Sequence, residues 1–372
     1  MPVLFRAVRI VPMVRCCHYV LRCRMRETLI LGVILTVGCS AAAPEGSDPE
    51  VMDGSAVDDG TLTIGTDSSA VTAAAGPYFT TPMFFNADVS ALPKAANSAS
   101  LISALAAAGG WGNSNTMQID FALDVLTATS STPKLSFTPT SDWFSPDCDR
   151  GTVPVPSGGN VEGETGYACA GDGDCHLLVH DPAGGKLYEM WRANITSSFQ
   201  GGCLVVWSTG KSYSSLLRGD QCTSSDAAGF PIAPLLFTAD EVKAGHIDHA
   251  IRFILPNNRI KKGYVRPATH GTGTTGGSSA PSYGVHLRLR ADYPIANLPA
   301  GARVVARAMQ KYGMYHADGG NIALTAASDR HTAAKWSGLL GSRDLAALKV
   351  TDFEVIDHGP PIGLTLDCVR AP

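Results

Sequence analysis

The sequence predicts a mainly β protein, an antiparallel β-sandwich or jelly-roll-like fold with a few short helices. The 372 residues include 39 glycines and 23 prolines, and only 17% are charged. Short β-type runs alternate with clusters of turn residues, and few of them follow a strand–helix–strand order. These observations favour many short strands joined by turns over a parallel α/β fold.

The chain before residue 77 is predicted to lie outside this fold. Residues 1–38 are typical of a secretory signal peptide, because basic residues precede an apolar run too short to span a bilayer. The residues before Cys39 resemble a bacterial lipobox, so Cys39 is the predicted lipidation site. Met25 is an alternative start, and an ordinary signal peptide is the alternative leader. Residues 39–76 hold seven acids and neither lysine nor arginine, which indicates a disordered tether.

The remaining segment, 77–372, is predicted to be a single β-rich domain with a helical N-terminal portion, large enough for a sizeable core. Residues 1–38 contain six of the 29 basic residues and one of the 33 acids, so the exported chain keeps 23 basic and 32 acidic residues. Its net charge of −9 argues against a nucleic-acid partner.

Six cysteines remain in the exported domain, and an even number in an exported protein predicts disulfides. Six cysteines allow 15 connectivities, among which the sequence does not choose. No C-x2-C pair occurs, so neither a metal nor another cofactor is predicted. The cysteines are Cys148, Cys169, Cys175, Cys203, Cys222 and Cys368.

Secondary structure follows from composition and spacing. The Ala/Leu-rich segment 90–110 ends in Gly-Gly and predicts a capped helix, and further helices are expected at 301–314 and 342–349. The Gly/Ser/Thr-rich segment 270–282 predicts a loop that borders a binding face. Strands are expected at 133–139, 175–181, 186–193, 203–208, 249–255, 263–268 and 283–291.

The segment "CAGDGDCHLLVHD" poses a choice between a metal site and a stapled turn. Its acidic loop lacks the further ligands of a calcium loop, so a polar turn closed by Cys169 and Cys175 is favoured. His176 and His180 share one strand face but lie about 13 Å apart by the strand rise, too far to chelate one ion unaided.

Aromatic and charged strand positions provide further candidates. Glu189 and Trp191 share a strand face and suit a sugar ring, although a core tryptophan beside a hydrogen-bonded glutamate would show the same pattern. His286, Arg288 and Arg290 share a face that is either an anion site or a solvated surface with acidic partners.

Two histidines are candidates for proton transfer. If their strands are neighbours, His249 and His270 could meet Glu241 or Arg288 in one cleft and act as general acid or base. The sequence contains no nucleophile elbow, P-loop, HExxH or dinucleotide fingerprint, which disfavours several enzyme classes.

The sequence resembles a family of secreted bacterial proteins in several phrases between residues 150 and 357. The phrases are "GDGDCHLLVHD…LYEMW", "SSDAAGFPIAPLLFTADEV…GHIDHAIRF", "YVRPATH", "YGVHLRLRA", "KYGMYHADGG" and "DFEVID". The resemblance implies homology and export but no activity, since none is established for the family. It also implies that ten polar residues are shared with the relatives: His176, Asp181, Glu189, Asp226, Glu241, His249, His270, Arg288, Tyr312 and Asp318. His286 and the cysteines depart from the family pattern, which argues against a specific role for His286 and a shared role for disulfides.

Together these patterns predict an exported, lipid-anchored, carbohydrate-active protein of the cell envelope that cleaves a polysaccharide, either as a glycoside hydrolase or as a lyase. On a uronate polymer, Arg288 would neutralise the carboxylate while Tyr312 and a histidine exchange the proton. On a neutral glycan, an acid–base pair would come from Glu189, Glu241 and Asp240. The predicted catalytic residues are His249, His270, Glu241, Arg288 and Tyr312.

The predicted partners are a glycan and, through the lipid anchor, a membrane. Two alternatives stay open. The first alternative is a non-catalytic surface lipoprotein that binds glycan or matrix. The second is a purely structural envelope lipoprotein. The predicted substrate-binding residues are His176, Asp181, Glu189, Trp191 and Asp318.

Overall fold

The computed structural model describes residues 73–171 and 173–372, which form four α-helices and seventeen β-strands. The predicted signal peptide, the lipidation of Cys39 and most of the predicted tether lie outside these residues. The helices are α1 (Ser98–Ala107), α2 (Gly112–Asn115), α3 (Ala239–Ala244) and α4 (Ala300–Lys311). The strands are β1 (Ile119–Leu123), β2 (Val125–Thr127), β3 (Lys134–Ser136), β4 (Thr138–Pro139), β5 (Thr152–Pro154), β6 (Leu177–Asp181), β7 (Lys186–Trp191), β8 (Asn194–Ile195), β9 (Phe199–Gly201), β10 (Cys203–Ser208), β11 (Gly219–Asp220), β12 (Ile251–Leu255), β13 (His286–Leu289), β14 (Met314–Gly319), β15 (Leu324–Ala327), β16 (Phe353–Val355) and β17 (Val369–Arg370).

The largest sheet has six strands in the order β1-β15-β12-β14-β13-β16. It is mixed: β1 runs parallel to β15, and β12 runs parallel to β14 but antiparallel to β15. β13 pairs antiparallel with both β14 and β16. Among β1, β15, β12 and β14, each pair of neighbouring strands therefore joins segments that are far apart in the chain.

A four-stranded sheet in the order β10-β7-β6-β2 has apolar side chains on both faces. Because successive side chains point to opposite faces, Leu178 and Leu187 enter the main core while Leu177 and Met190 enter a second, smaller one. Three smaller sheets, β11-β17, β3-β5 and β4-β9-β8, complete the strand pairing.

The mainly β class predicted from the sequence is confirmed. Antiparallel pairs outnumber parallel ones, but each of the two largest sheets also contains a parallel pair. The sandwich or jelly-roll arrangement stays a prediction.

Two of the three predicted helices are present. α1 lies within the predicted 90–110 segment, and the chain leaves it through Gly109 and Gly110, both at positive φ. α4 has buried side chains at Ala302, Val305 and Met309, a helical spacing that places its basic residues on the opposite face.

Two expected elements are wrong. Residues 342–349 form turns, with backbone hydrogen bonds between residues three apart, from Ala346 to Arg343 at 2.9 Å and from Leu348 to Leu345 at 3.0 Å. Residues 263–268 have only isolated bridges at Tyr264, since Pro267 cannot donate to a strand ladder.

The six cysteines form three disulfides, Cys148–Cys203, Cys169–Cys175 and Cys222–Cys368. Such bonds indicate an oxidising compartment, extracellular or periplasmic. Among the described residues, no helix combines the length and apolar character that crossing a membrane requires.

Candidate acid–base site

A histidine and a glutamate from separate loops form the first half of the site. His176 Nδ1 lies 2.6 Å from Glu162 Oε2, and His176 Nε2 lies 3.0 Å from the carbonyl oxygen of Ser225. Both partners are acceptors, so both ring nitrogens donate and the imidazole is a cation. Burial alone would lower the pKa of His176, but the Glu162 charge and hydrogen bond raise it to about 9.

An arginine between two aspartates forms the second half. The Arg252 guanidinium donates through Nη2 to Asp226 Oδ1 and through Nη1 to Thr325 Oγ1, 2.9 Å away. Its Nη2 also lies 3.8 Å from Asp318 Oδ2. Burial would lower the pKa of Arg252, but the two carboxylates raise it, so this guanidinium is a fixed positive charge.

The six-stranded sheet brings this second half together. Asp120 on β1 is paired in register with Thr325 on β15, and β12 with Arg252 and β14 with Asp318 follow in the sheet. On β12, Ile251 and Phe253 enter the core, so alternation directs Arg252 to the opposite face. Neighbouring strands thus present a row of polar residues that are distant in sequence.

The two halves are coupled electrostatically. The Asp318 charge contributes to the raised pKa of His176, and Arg252 contributes to the lowered pKa of Glu162. Burial raises the pKa of Asp120, and the nearby Glu162 raises it further. The cluster therefore acts as one network of charges.

Burial gives the carboxyl groups of the cluster different acidities. It raises the pKa of Asp226 to about 7 and also raises that of Asp318, against the opposing effect of Arg252. Burial acts in the same direction on Glu162, but the His176 cation outweighs it and lowers the pKa of that carboxyl. Asp318 is 33% exposed and Glu162 is 22% exposed, whereas Asp226 is fully buried.

An aromatic residue adjoins the cluster. Trp191 is partly exposed at the end of β7, and its Nε1 donates to Asp174. Asp174 in turn contributes to the raised pKa values of His176 and Asp318. The Cys169–Cys175 disulfide closes the loop that contains Asp174, so the stapled turn expected from the sequence borders the site.

Two predicted substrate-binding residues have structural roles. Asp181 Oδ1 accepts the Gly184 amide at 2.8 Å and fixes the turn after β6. Glu189 is fully buried, and its carboxylate accepts hydrogen bonds from Trp207 Nε1 at 2.9 Å and from two backbone amides at 2.8 Å. These contacts agree with the core interpretation of Glu189, and a substrate-binding role of Asp181 and Glu189 stays a prediction.

The predicted catalytic residues form separate sets of contacts. Glu241 Oε1 lies 3.1 Å from His249 Nε2, but Glu241 Oε2 accepts the Thr238 amide and hydroxyl as a capping box for α3. Tyr312 donates to Asp248, the residue before His249, at 3.5 Å.

Arg288 and His270 lie apart from that pair. Arg288 is bound to Glu354 and to the backbone oxygens of Val89 and Leu92. His270 Nδ1 donates to the carbonyl of Ala227 at 2.9 Å. Among the described residues, neither forms a hydrogen bond or ion pair with Glu241, His249 or Tyr312, so the convergence of these five residues in one cleft stays a prediction.

Three residues of the cluster were not predicted as site residues from the sequence: Arg252, Glu162 and Asp120. Arg252 had a signal, a single arginine inside the apolar run "HAIRFIL", which indicates a paired and buried charge. Glu162 lies in a glycine-rich loop without periodicity, and the strand that contains Asp120 was not predicted. The only metal-like group found among the described residues, Asp147, Cys222 and Cys368, contains two disulfide-bonded sulfurs and offers a single carboxylate.

No family model matches the chain, and no curated protein or solved structure matches it significantly. The resemblance to secreted bacterial proteins therefore stays a prediction.

Proposed function

We propose that the protein is an exported glycoside hydrolase that cleaves a polysaccharide outside the cytoplasm, anchored by lipid on Cys39. The observation that supports it is the pair Asp318 and Glu162. Their environments move their pKa values in opposite directions, upward for Asp318 and downward for Glu162. Both carboxyl groups interact with His176 and Arg252, and a pair of carboxyl groups with opposite pKa shifts is typical of enzymes that cleave glycosidic bonds.

The roles follow from the charges. Asp318 is the general acid that protonates the glycosidic oxygen, because burial raises its pKa and so makes it a weaker acid than a free aspartate. Glu162, held as an anion by His176, removes a proton from the attacking water or attacks the anomeric carbon itself. Arg252 and the fully buried Asp226 position Asp318 and do not touch the substrate.

A glycan is favoured as substrate because the partly exposed Trp191 is linked to the charged cluster through Asp174. Trp191 is partly exposed and is held by Asp174 next to His176 and Asp318. Sugar rings stack their apolar faces on such side chains while acids bind their hydroxyls.

The lyase assignment has less support. The Arg288 guanidinium is occupied by Glu354 and two backbone carbonyls. Tyr312 is buried and bound to Asp248, and His270 is bound to Ala227. Within the described part of the chain, no hydrogen bond or ion pair joins Arg288, Tyr312 and His270 into one site.

The test is turnover on a panel of neutral and uronate polysaccharides, with release of reducing ends as the readout. Asp318→Asn and Glu162→Gln are each expected to lower kcat by about a hundredfold or more. Asp367→Asn is the matched control, since Asp367 is exposed and distant from these contacts. Unchanged turnover in both site variants, or no turnover on any polysaccharide, would refute the proposal.

A non-catalytic glycan-binding role is the second candidate. It is favoured by two of the cavities that the described residues form, which are lined by residues other than Asp318 and Glu162. Under this alternative, Trp191→Ala abolishes glycan retention in affinity electrophoresis, while Asp318→Asn has no effect and no bond is cleaved.

A further inference from the structure

A cavity of about 330 Å³ lies between β13, β16 and the C-terminal half of α4, outside the acid–base site. Its polar lining consists of Ser90, Arg288, Arg307, Gln310, Lys311 and Glu354. Three of these residues are cations and one is an acid, although the chain as a whole is acidic.

The charges of the lining are not balanced. Arg288 Nε and Nη2 donate to Glu354 Oε1 at 2.9 and 2.6 Å, so these two residues neutralise each other. Arg307 forms no ion pair or hydrogen bond through its side chain with the described residues. Lys311, one helical turn later, has its ammonium 4.9 Å from the ring centre of Tyr312 and forms no ion pair within that same part of the chain, while a hydrogen bond with Tyr312 and the charges of Asp88 and Asp248 raise its pKa.

Arg307 and Lys311 lie on the same helix face, because residues four apart in a helix are neighbours. Like charges at this spacing repel each other, and an anion between them would relieve the repulsion. Arg307 offers a planar fork that matches a carboxylate, and Lys311 offers a point charge. Gln310 and Ser90 add groups that can bind hydroxyls.

We propose that this cavity binds a sugar carboxylate, so that the substrate of the hydrolase is an acidic glycan. The identification of the ligand as a glycan rests on the proposed function. The proposal that the cavity binds an anion rests only on the residues that line it. Arg288 stabilises the floor of the cavity, while Arg307 and Lys311 contact the ligand.

The test is isothermal titration calorimetry of the full-length protein with methyl glucuronide, with methyl glucoside as the matched neutral ligand. Glucuronide is expected to bind saturably and more weakly as salt is added, and glucoside is not expected to bind. Arg307→Gln and Lys311→Gln should each raise the glucuronide Kd about tenfold, the effect of losing one charge-assisted contact. Arg343→Gln, an exposed arginine outside the cavity, should leave it unchanged.

Absence of glucuronide binding, equal binding of the glucoside, or an unchanged Kd in both variants would overturn the anion site. The same titration on Asp318→Asn separates the two proposals. If glucuronide binding persists there while no polysaccharide is ever cleaved, the hydrolase proposal fails and the anion site stands.

Discussion

The imidazole of His176 and the carboxylate of Glu162 form an ion pair in which Nδ1 and Oε2 are 2.6 Å apart. The second ring nitrogen donates to the Ser225 carbonyl, so neither nitrogen is free to accept a proton from a substrate. His176 is therefore a fixed cation that keeps Glu162 ionised, which makes it a positioning residue.

The His176–Glu162 pair predicts a pH dependence of stability. The pKa of His176 is raised to about 9 in the fold, above about 6.5 in the unfolded chain. The folded state then holds more protons between these values, so the stabilisation is complete below pH 6.5 and is lost as pH rises through 9. Urea unfolding should show a fall of a few kcal/mol over this window.

His176→Gln should remove most of that slope in the free energy of unfolding. His246→Gln is the control, because its side chain is 66% exposed. An equal slope in the wild type and His176→Gln would show that another group is responsible.

Removing the central arginine is expected to destabilise the fold strongly. Arg252→Met leaves Asp226 buried without its cation, and breaking a buried pair from one side costs about 3–5 kcal/mol. Arg290→Met is the control, since Arg290 and its partner Asp292 are largely exposed and such a pair contributes about 1 kcal/mol or less. Chemical denaturation of both variants measures the difference, and equal losses would contradict the account.

Local patterns predicted much of the fold. The β class, two helices and most of the expected strands follow from alternation, helical spacing and glycine stops. The wrong helix at 342–349 shows the limit, because a weak local preference over eight residues is compatible with consecutive turns as well as with a helix. The pairing of β1, β15, β12 and β14 joins segments far apart in the chain. The periodicity of one segment does not predict which distant segment pairs with it.

The site was predicted only in part for the same reason. His176 and Asp318 were identified, but what gathers them is Arg252, whose two aspartates come from different segments. From the sequence, Glu189 was predicted to bind substrate and Glu241 to be catalytic. Only the tertiary structure shows that the first accepts core amides and the second caps a helix.

The disulfides are expected to differ in their contributions. Cys222–Cys368 closes 146 residues and Cys169–Cys175 closes six. Loop-closure entropy then gives about 5 kcal/mol for the first and about 2 kcal/mol for the second. Double Cys→Ser variants compared by thermal unfolding should follow this order.

Loss of the shorter disulfide should affect the site more than the fold. It frees the loop that places Asp174 against Trp191, so the fluorescence of Trp191 should change. The free energy of unfolding should fall by less than it does in the Cys222/Cys368 variant. A larger loss of stability from the Cys169/Cys175 variant than from the Cys222/Cys368 variant would contradict this order.

Glu189→Gln distinguishes a structural carboxylate from a substrate-binding one. The two oxygens of Glu189 accept three N–H groups in a fully buried position, so an amide NH2 would face donors without an acceptor. We expect the free energy of unfolding to fall by about 2–3 kcal/mol. Glu164→Gln, which retains an acceptor for its one contact with the Ala170 amide, should change it by less than about 1 kcal/mol. Denaturation followed by tryptophan fluorescence measures both. Unchanged stability together with lost glycan binding would return Glu189 to the substrate-binding set.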